Sequence, residues 1–571
     1  MKLYWQKQLS TTFIIVTVTI VLLIVPIAAG LIGTWLPAMG YLPSAGYDGF
    51  NWQPLIALYS HPSTLTSITL SISSALLATC SAFIISQWLC MQLYHSRSWR
   101  WLKHALAPLL AIPHLAFALG FSFIIAPSGW LMRVISPQLS GFEIPPDWLI
   151  VNDNYALSLS LALIIKEIPF FLLMTLAAMN NFNVNKTLQV GATLNYPHNQ
   201  AWIKLVFPQL YGQLRLPLYA VLSYSLSVVD LSIVLGPNAP ATFSVLINQW
   251  FNDPDFTMRL IGASAASMLL VIVMVFIGLF YLAEVLLKKY LKNWLVAGAD
   301  SSNAFELPAK VCAYIALFII SASSFLSIAA LVVWSFSRQW RFPDLLPALW
   351  SIKNWQKSWG QLTEPLFNTA LIGISSGFLA LVVCIAVLQW QSQLSVKRAN
   401  NYSWIIWLVY VPILIPQISF MFGIQVMLIS MNLDGHMMTM IWMHLLFVLP
   451  YCYLSLAKVY LQFDDRYLQV GAVLSQSMWR SFCFVKVPML FKPLAFSFAV
   501  GFAVSVSQYL PSLYVGAGRI ETITLQSVAA ASGSDNRISA VFGFWQFVLP
   551  LIVYFAALAI PQLCFIRRRG L

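Results

Sequence analysis

Three ionisable side chains stand where hydrocarbon is expected. Lys166 and Glu167 fall midway through the apolar stretch 155–179, and Asp230 lies deep in the stretch 214–236. Charge inside such stretches is costly and is retained where it pairs or where it lines a path through the membrane. Two chemistries fit these residue types. One is a mutual ion pair between adjacent helices. The other is a translocation path in which Glu167 or Asp230 touches a cationic solute. Little else in the chain could do chemistry. No GxxxxGK[ST] occurs, and GAGRIETI at 516–523 follows an apolar stretch rather than a strand, so it reads as a turn. The seven cysteines (Cys80, Cys90, Cys312, Cys384, Cys452, Cys483 and Cys564) form no CxxC pair and read as small hydrophobes in packing. Neither a metal site nor a catalytic centre is expected.

The elements that must hold these charges are apolar spans. The chain is 60% hydrophobic and 9% charged, and stretches of twenty or more apolar residues recur along it. Each is long enough to cross a hydrocarbon layer of about 30 Å. Twelve spans are expected, near 11–35, 64–92, 104–126, 155–179, 214–236, 259–287, 311–336, 366–391, 403–429, 437–461, 493–514 and 540–565. Residues 12–33, behind Lys2 and Lys7, read as an uncleaved first span. The fold class is therefore an all-α polytopic membrane protein. A net charge of +13 fits Lys and Arg gathered in cytoplasmic loops, not nucleic-acid binding. Arg97, Arg100 and Lys103, then Lys288, Lys289 and Lys292, then Lys397 and Arg398, and the tail Arg567-Arg568-Arg569 all fall on one side. This sets both termini in the cytoplasm. The outer loop 337–365, with Arg338, Arg341, Lys353 and Lys357, is the exception.

One stretch occurs twice. Residues 188–194 read LQVGATL and residues 468–474 read LQVGAVL, 280 positions apart. Each precedes a polar turn, a short mixed run and a proline, Pro208 or Pro488. The duplication is longer than these breaks. ISSALLATCSAFIISQW (72–88) resembles ISSGFLALVVCIAVLQW (374–390), and AIPHLAFALGF (111–121) resembles LIPQISFMFGI (414–424). Gly236 and Gly516 end matching spans, and Thr242 and Thr522 follow at equal distance. Two homologous six-span halves in the same orientation are expected, 1–287 and 311–571, joined by a polar linker at 288–310. Parallel repeats place a pathway between the halves. Asp230 has no acidic counterpart, since Leu510 stands in its place.

Each repeated break reads as an exposed helical elbow, 180–208 and 462–488. Leu188, Val190, Ala192 and Leu194 suit a short amphipathic helix, and Gly191 and Gly471 permit close backbone approach by a partner. Asn195 can turn left-handed, and Pro197 disfavours helix at Tyr196. A second short helix carrying Trp202, Lys204 and Val206, or Trp479, Phe482 and Val485, returns to the membrane and is expected to stop at Pro208 or Pro488. Pro113 and Pro416, and likewise Pro169 and Pro450, are expected to interrupt spans at repeat-equivalent places.

The elbow resembles the EAA loop of ABC-transporter permeases, the membrane subunits of binding-protein-dependent importers. Gln189-Val190-Gly191 stands at the Glu-Ala-Ala position and Asn195 at the loop glycine; Gln469-Val470-Gly471 and Ser475 do so in the second copy. Val206-Phe207-Pro208 and Lys486-Val487-Pro488 close the motif at the family spacing. The chain departs from the pattern in lacking the Glu and both loop glycines. Two fused permease domains look like the iron(III)- and thiamine-type permeases. The resemblance implies an importer subunit of the bacterial inner membrane. A separate ATP-binding-cassette ATPase, in two copies and carrying ATP-Mg, would sit under the elbows, and a periplasmic solute-binding protein would dock opposite. This chain itself would hold no cofactor and perform no catalysis. The implied motor contacts are Gln189, Val190, Gly191, Ala192, Thr193, Leu194 and Asn195, with Gln469, Val470, Gly471, Ala472, Val473, Leu474 and Ser475. A secondary transporter of major-facilitator type also has two six-span halves. Its charged motif between spans two and three is missing here, where the loop reads YHSRSWRWLKH.

Overall fold

The computed structural model describes residues 2–94, 96, 99, 106, 109–296, 298, 306–392, 404–533 and 535–564. Arg97, Arg100, Lys103, Lys397, Arg398, Arg567, Arg568 and Arg569 lie outside the described residues, as does most of the loop between spans two and three. The chain is almost entirely helical, apart from a two-stranded ribbon pairing Ser337–Gln339 with Leu349–Trp350.

Among the described residues, nine helices are long and apolar enough to cross a membrane, or up to eleven if each of two bent pairs counts as one span. The expectation was twelve spans, some of them interrupted at proline. Helix occupies every expected span, but several are broken. The fifth is split at Val228–Val229 between Phe207–Ser227 and Asp230–Leu235, and the eleventh at Ser507–Tyr509 between Phe491–Val506 and Leu510–Gly516. The third breaks at Ile112–Pro113 ahead of His114–Ile125. The ninth bends by 97° at Ile415–Pro416, between Leu408–Leu414 and Ile418–Ser430. These prolines lack the N–H that would carry the helix through. Pro169 and Pro450, by contrast, lie inside the unbroken helices Leu157–Met179 and Met437–Leu461. A single missing hydrogen bond does not end those helices.

Side chains satisfy the backbone freed at the breaks. Ser244 Oγ donates to the Val228 carbonyl at 2.7 Å, and at the matching place Thr524 Oγ1 donates to the Val506 carbonyl. The helix Leu157–Met179 starts on Asp153, whose carboxylate accepts from the N–H groups of Tyr155, Leu157 and Ser158 and from the Ser158 hydroxyl.

The first span of each half packs on the other half. The helix Lys2–Ala38 crosses Ile418–Ser430 where Gly30 and Gly33 meet Gly423. Gly423 N–H donates to Thr34 Oγ1 at 3.1 Å. The helix Glu306–Phe336 crosses His114–Ile125 where Gly120 meets the Ser327 backbone. Gly120 and Gly423 are repeat-equivalent, and a Cβ on either would run into backbone of the crossing helix. Without a hydrophobic drive between helices in lipid, such small-residue crossings are where backbones can pack closely. The expected linker 288–310 is helical at both ends: Phe256–Val296 runs nine residues past position 287, and the next helix starts at Glu306.

Candidate functional site

The first elbow begins with the helix Val184–Thr193, capped by Asn183, which accepts from Lys186 N–H at 3.1 Å. Asn195 takes φ +58°, as its side chain allows, and Tyr196 N–H returns to the Gly191 carbonyl at 3.0 Å. The chain then re-enters helix at His198–Ala201, widens to a π-turn at Trp202–Val206, and runs without a stop into Phe207–Ser227. Pro208 therefore does not end the return helix. The π-turn hands over to a new α-helical start, where a missing N–H costs nothing. The elbow is tied down at its base. Tyr94 donates to Asn185 Oδ1 at 2.7 Å, Gln92 to Asn199 Oδ1 at 3.1 Å, and Trp202 is buried against Tyr94. A cleft of about 450 Å³ opens there, lined by Tyr94, Phe182, Asn180, Asn181, Asn183 and Asn185 among others.

The second elbow repeats this plan with differences. The helix Arg466–Ser475 is followed by Met478–Ser481, a π-turn at Phe482–Lys486 and Val487–Met489. Here the left-handed residue is Gln476 (φ +52°), one position beyond Ser475, whose hydroxyl back-bonds to Gly471 at 2.6 Å. The return helix breaks at Leu490 with a 73° bend, two residues after Pro488.

The repeated glycines serve the elbow itself. A Cβ on Gly191 would sit 2.8 Å from Ala201 Cβ, and one on Gly471 would sit 2.5 Å from Ser481 Oγ. The close approach expected from a partner is made by the chain's own return helix. What each elbow presents to solvent is different: Gln189, Val190, Ala192, Thr193, Leu194 and Asn195 in the first, and Gln469, Val470, Val473 and Leu474 in the second. Ala472 and Ser475 are half-buried. Val473 and Leu474 are 78% and 81% exposed, an apolar pair left bare at a polar end of the bundle.

The three charges inside the spans form no mutual ion pair, one of the two arrangements expected. Lys166 donates to the carbonyls of Ile112 at 2.8 Å and Leu109 at 3.3 Å, the acceptors freed by the Pro113 break. Glu167 meets His114 Nε2 at 3.3 Å. Asp230 starts the helix Asp230–Leu235 and, among the described residues, makes no ion pair. Around them stand residues that sequence reasoning passed over. The His114 ring lies 5.3 Å from Tyr224, and Tyr224 lies near Asp230, Glu167 and Tyr451. Tyr509, at the break in span eleven, is likewise near Asp230. Gln417 reaches Gln508 at 3.3 Å. The available signal was positional: His114 and Gln417 follow the repeated prolines, and Gln508 and Tyr509 lie in the repeated break.

A second link between halves lies at the elbow bases. Lys458, in the last turn of Met437–Leu461, donates to Asn181 Oδ1 at 2.8 Å and to the Ala177 carbonyl at 3.3 Å, and Asn181 in turn donates to Gln213.

These features define a polytopic helical membrane protein with repeated elbows at one end and a polar cluster between its halves. No model of a known protein family matches the chain. Over 521 residues, 91% of this chain and 92% of the relative, it is 28% identical to the Inner membrane ABC transporter permease protein YnjC of Escherichia coli (strain K12). The likeness spans both halves and both elbows, and it bears out the resemblance to ABC-transporter permeases with fused domains.

Proposed function

We propose that the chain is the transmembrane subunit of an ATP-binding-cassette importer. Its two halves, 1–287 and 311–571, carry a small solute across the bacterial inner membrane by alternating access. Two copies of a separate ATPase, which hold the ATP-Mg, grip the elbows from the cytoplasm, where both termini also lie. A periplasmic binding protein delivers solute at the opposite face. Closure of the motor dimer draws the elbows together. Each elbow is fixed to its bundle, so the halves rock and the cavity between them changes the side it opens to.

The observation that carries this reading is the pair of elbows. They are repeat-equivalent, lie at one end of the bundle, and leave Val190, Leu194, Val473 and Leu474 bare. Isolated exposed apolar residues are ordinary, but a matched pair on two projecting helices fits a docked partner. The candidate path residues are Glu167 and Asp230. Lys166 supports them from behind, since its ammonium is held by backbone carbonyls. The major-facilitator alternative offers no account of the elbows.

Co-purification tests the assignment. Tagged chain drawn from its native membranes is expected to bring down an ATP-binding-cassette ATPase. Val473→Asp with Leu474→Asp is expected to abolish that association while leaving the chain folded. Uptake by the purified chain alone, without nucleotide, would overturn the reading.

A further inference from the structure

We propose that the two-stranded ribbon and the first turns of the helix after it form a landing platform for the acidic face of a soluble protein. The proposal deepens the permease reading and rests on it only for the identity of that protein, the solute-binding partner. Its starting point is the stretch 337–365, the exception to the gathering of Lys and Arg on the elbow side. It carries Arg338, Arg341, Lys353 and Lys357 against Asp344 and Glu364. All four cations are exposed, and none makes an ion pair among the described residues. Basic residues next to a span work against its placing them outside, so their presence there points to a use on that side.

The platform stands clear of the lipid. The helix Lys353–Ser392 runs unbroken from the ribbon to the base of the second elbow, where Gln389 accepts from Lys486 at 3.0 Å. From Gln389 back to Lys353 an α-helix rises about 54 Å. Hydrocarbon and both headgroup layers together take up only about 40–45 Å. The ribbon is fastened at the Lys353 end, since Asn354 Nδ2 donates to the carbonyls of Ser335 at 3.0 Å and Ser337 at 2.9 Å. A lipid surface is therefore not what these cations meet.

The loop that carries them is held still. Arg133, in the short helix Trp130–Ile135, is buried and donates to the carbonyls of Arg341 at 2.7 Å and Asp344 at 2.5 Å. Its guanidinium also lies over the Trp340 ring at 4.7 Å. Trp130 Nε1 donates to the Leu345 carbonyl at 3.1 Å, and Arg537 to the Arg338 carbonyl at 2.8 Å. All of these contacts hold backbone or Trp340, so Leu346 and Trp350 remain exposed beside the four cations. Residues fixed in advance lose less entropy on binding. Arg beside exposed Trp is also the composition of a protein-binding face more than of ordinary surface.

The platform occurs once. Asn354-Trp355-Gln356 matches Asn51-Trp52-Gln53 in the first half. There the positions of Arg338, Arg341, Lys353 and Lys357 hold Trp35, Ala38, Phe50 and Pro54, and Asp48 is the one charged residue from 35 to 60. An acidic partner is thus drawn to one of two repeat-equivalent places, which sets the orientation in which it lands.

Site-specific photo-cross-linking of the full-length chain in intact cells tests the proposal, with p-benzoylphenylalanine at position 346 or 350 and adducts identified by mass spectrometry. The expected adduct is to an exported soluble protein, through a segment in which Asp and Glu outnumber Lys and Arg. Arg338→Glu with Arg341→Glu, and separately Lys353→Glu with Lys357→Glu, should each lower its yield by about fivefold or more, because like charges then face each other. The melting temperature of the purified chain should not change. If a glutamate pair does lower it, the matching glutamine pair decides in its place, with a smaller loss of yield expected. No adduct at either position, adducts to lipid alone, or a yield indifferent to the charge variants overturns the platform. An acidic adduct protein that binds no small solute would leave the platform standing and refute its place in the importer. A chain that brings down its ATPase but gives no adduct would spare the importer and overturn the platform.

Discussion

Pro113 lacks an N–H, so the helical turn ahead of it ends in carbonyls that no intrahelical donor reaches. Lys166 supplies that donor from the neighbouring span, which explains an ammonium at a depth where charge is scarce. Replacing it with Met should destabilise the chain by about 1–3 kcal/mol, since buried acceptors lose their partner. Thermal melting in detergent reads this. Asp153 does comparable work at the start of Leu157–Met179. Burial pushes its pKa up, but the N–H and hydroxyl donors of Ser158, Leu157 and Tyr155 outweigh burial and hold the carboxyl below its ordinary value. A depressed folded pKa means stability that is fully present above the unfolded value, about 3.9, and lost as pH falls through the folded one. Asp153→Ala should therefore lower stability by about 1 kcal/mol at pH 7, a typical cost of a lost cap. The gap to the parent chain should narrow below pH 4. A gap that stays constant to pH 3 would show that the carboxylate is not what caps this helix.

At the level of elements, the spans and the elbows were legible because hydropathy and repetition are properties of single stretches. Asn195 is an example: its turn follows from its own side chain and the proline two residues on. The breaks at Pro113 and Pro416 were legible for the same reason. What the sequence concealed depends on neighbours. Gly191 and Gly471 look like openings for a partner until the return helix is placed against them. Pro208 looks like a stop until the π-turn before it removes the need for its N–H. Gly120 and Gly423 carry no local signal at all, since their role appears only when the opposite half's first helix crosses them. That role predicts a specific failure. Gly423→Leu forces side chain into backbone at the crossing with Gly30 and should cost about 1–3 kcal/mol or more, with a lowered melting temperature. Gly278→Leu, where the space around the glycine is open, should leave it unchanged. Equal effects at both positions would mean the crossing is looser than the geometry indicates.

Across the whole molecule, the two halves meet at three depths. Their first helices interlock at Gly423 and Gly120, the polar cluster lies between the bundles, and the elbow bases are joined by Lys458. The interlock binds each half to the other's third span, so the rocking proposed for the halves would pivot about these crossings. The Lys458 contact is then the part that such a motion would change. It is exposed, it holds the ends of spans four and ten together, and it sits directly before both elbows. An exposed ammonium-to-amide bond is worth on the order of 1 kcal/mol, a tie weak enough for the proposed movement of the elbows to make or break. If motor closure draws the elbows together, the arrangement seen here belongs to the closed motor. Cysteines at positions 181 and 458, in a chain whose seven native cysteines are replaced, should therefore cross-link faster when the assembled complex is held with a non-hydrolysable ATP analogue than without nucleotide. The cross-linked complex should lose uptake and regain it on reduction. A cross-linking rate indifferent to nucleotide would separate the elbow bases from the motor stroke. Unimpaired uptake by the cross-linked complex would show that the halves need not part at this end for solute to pass.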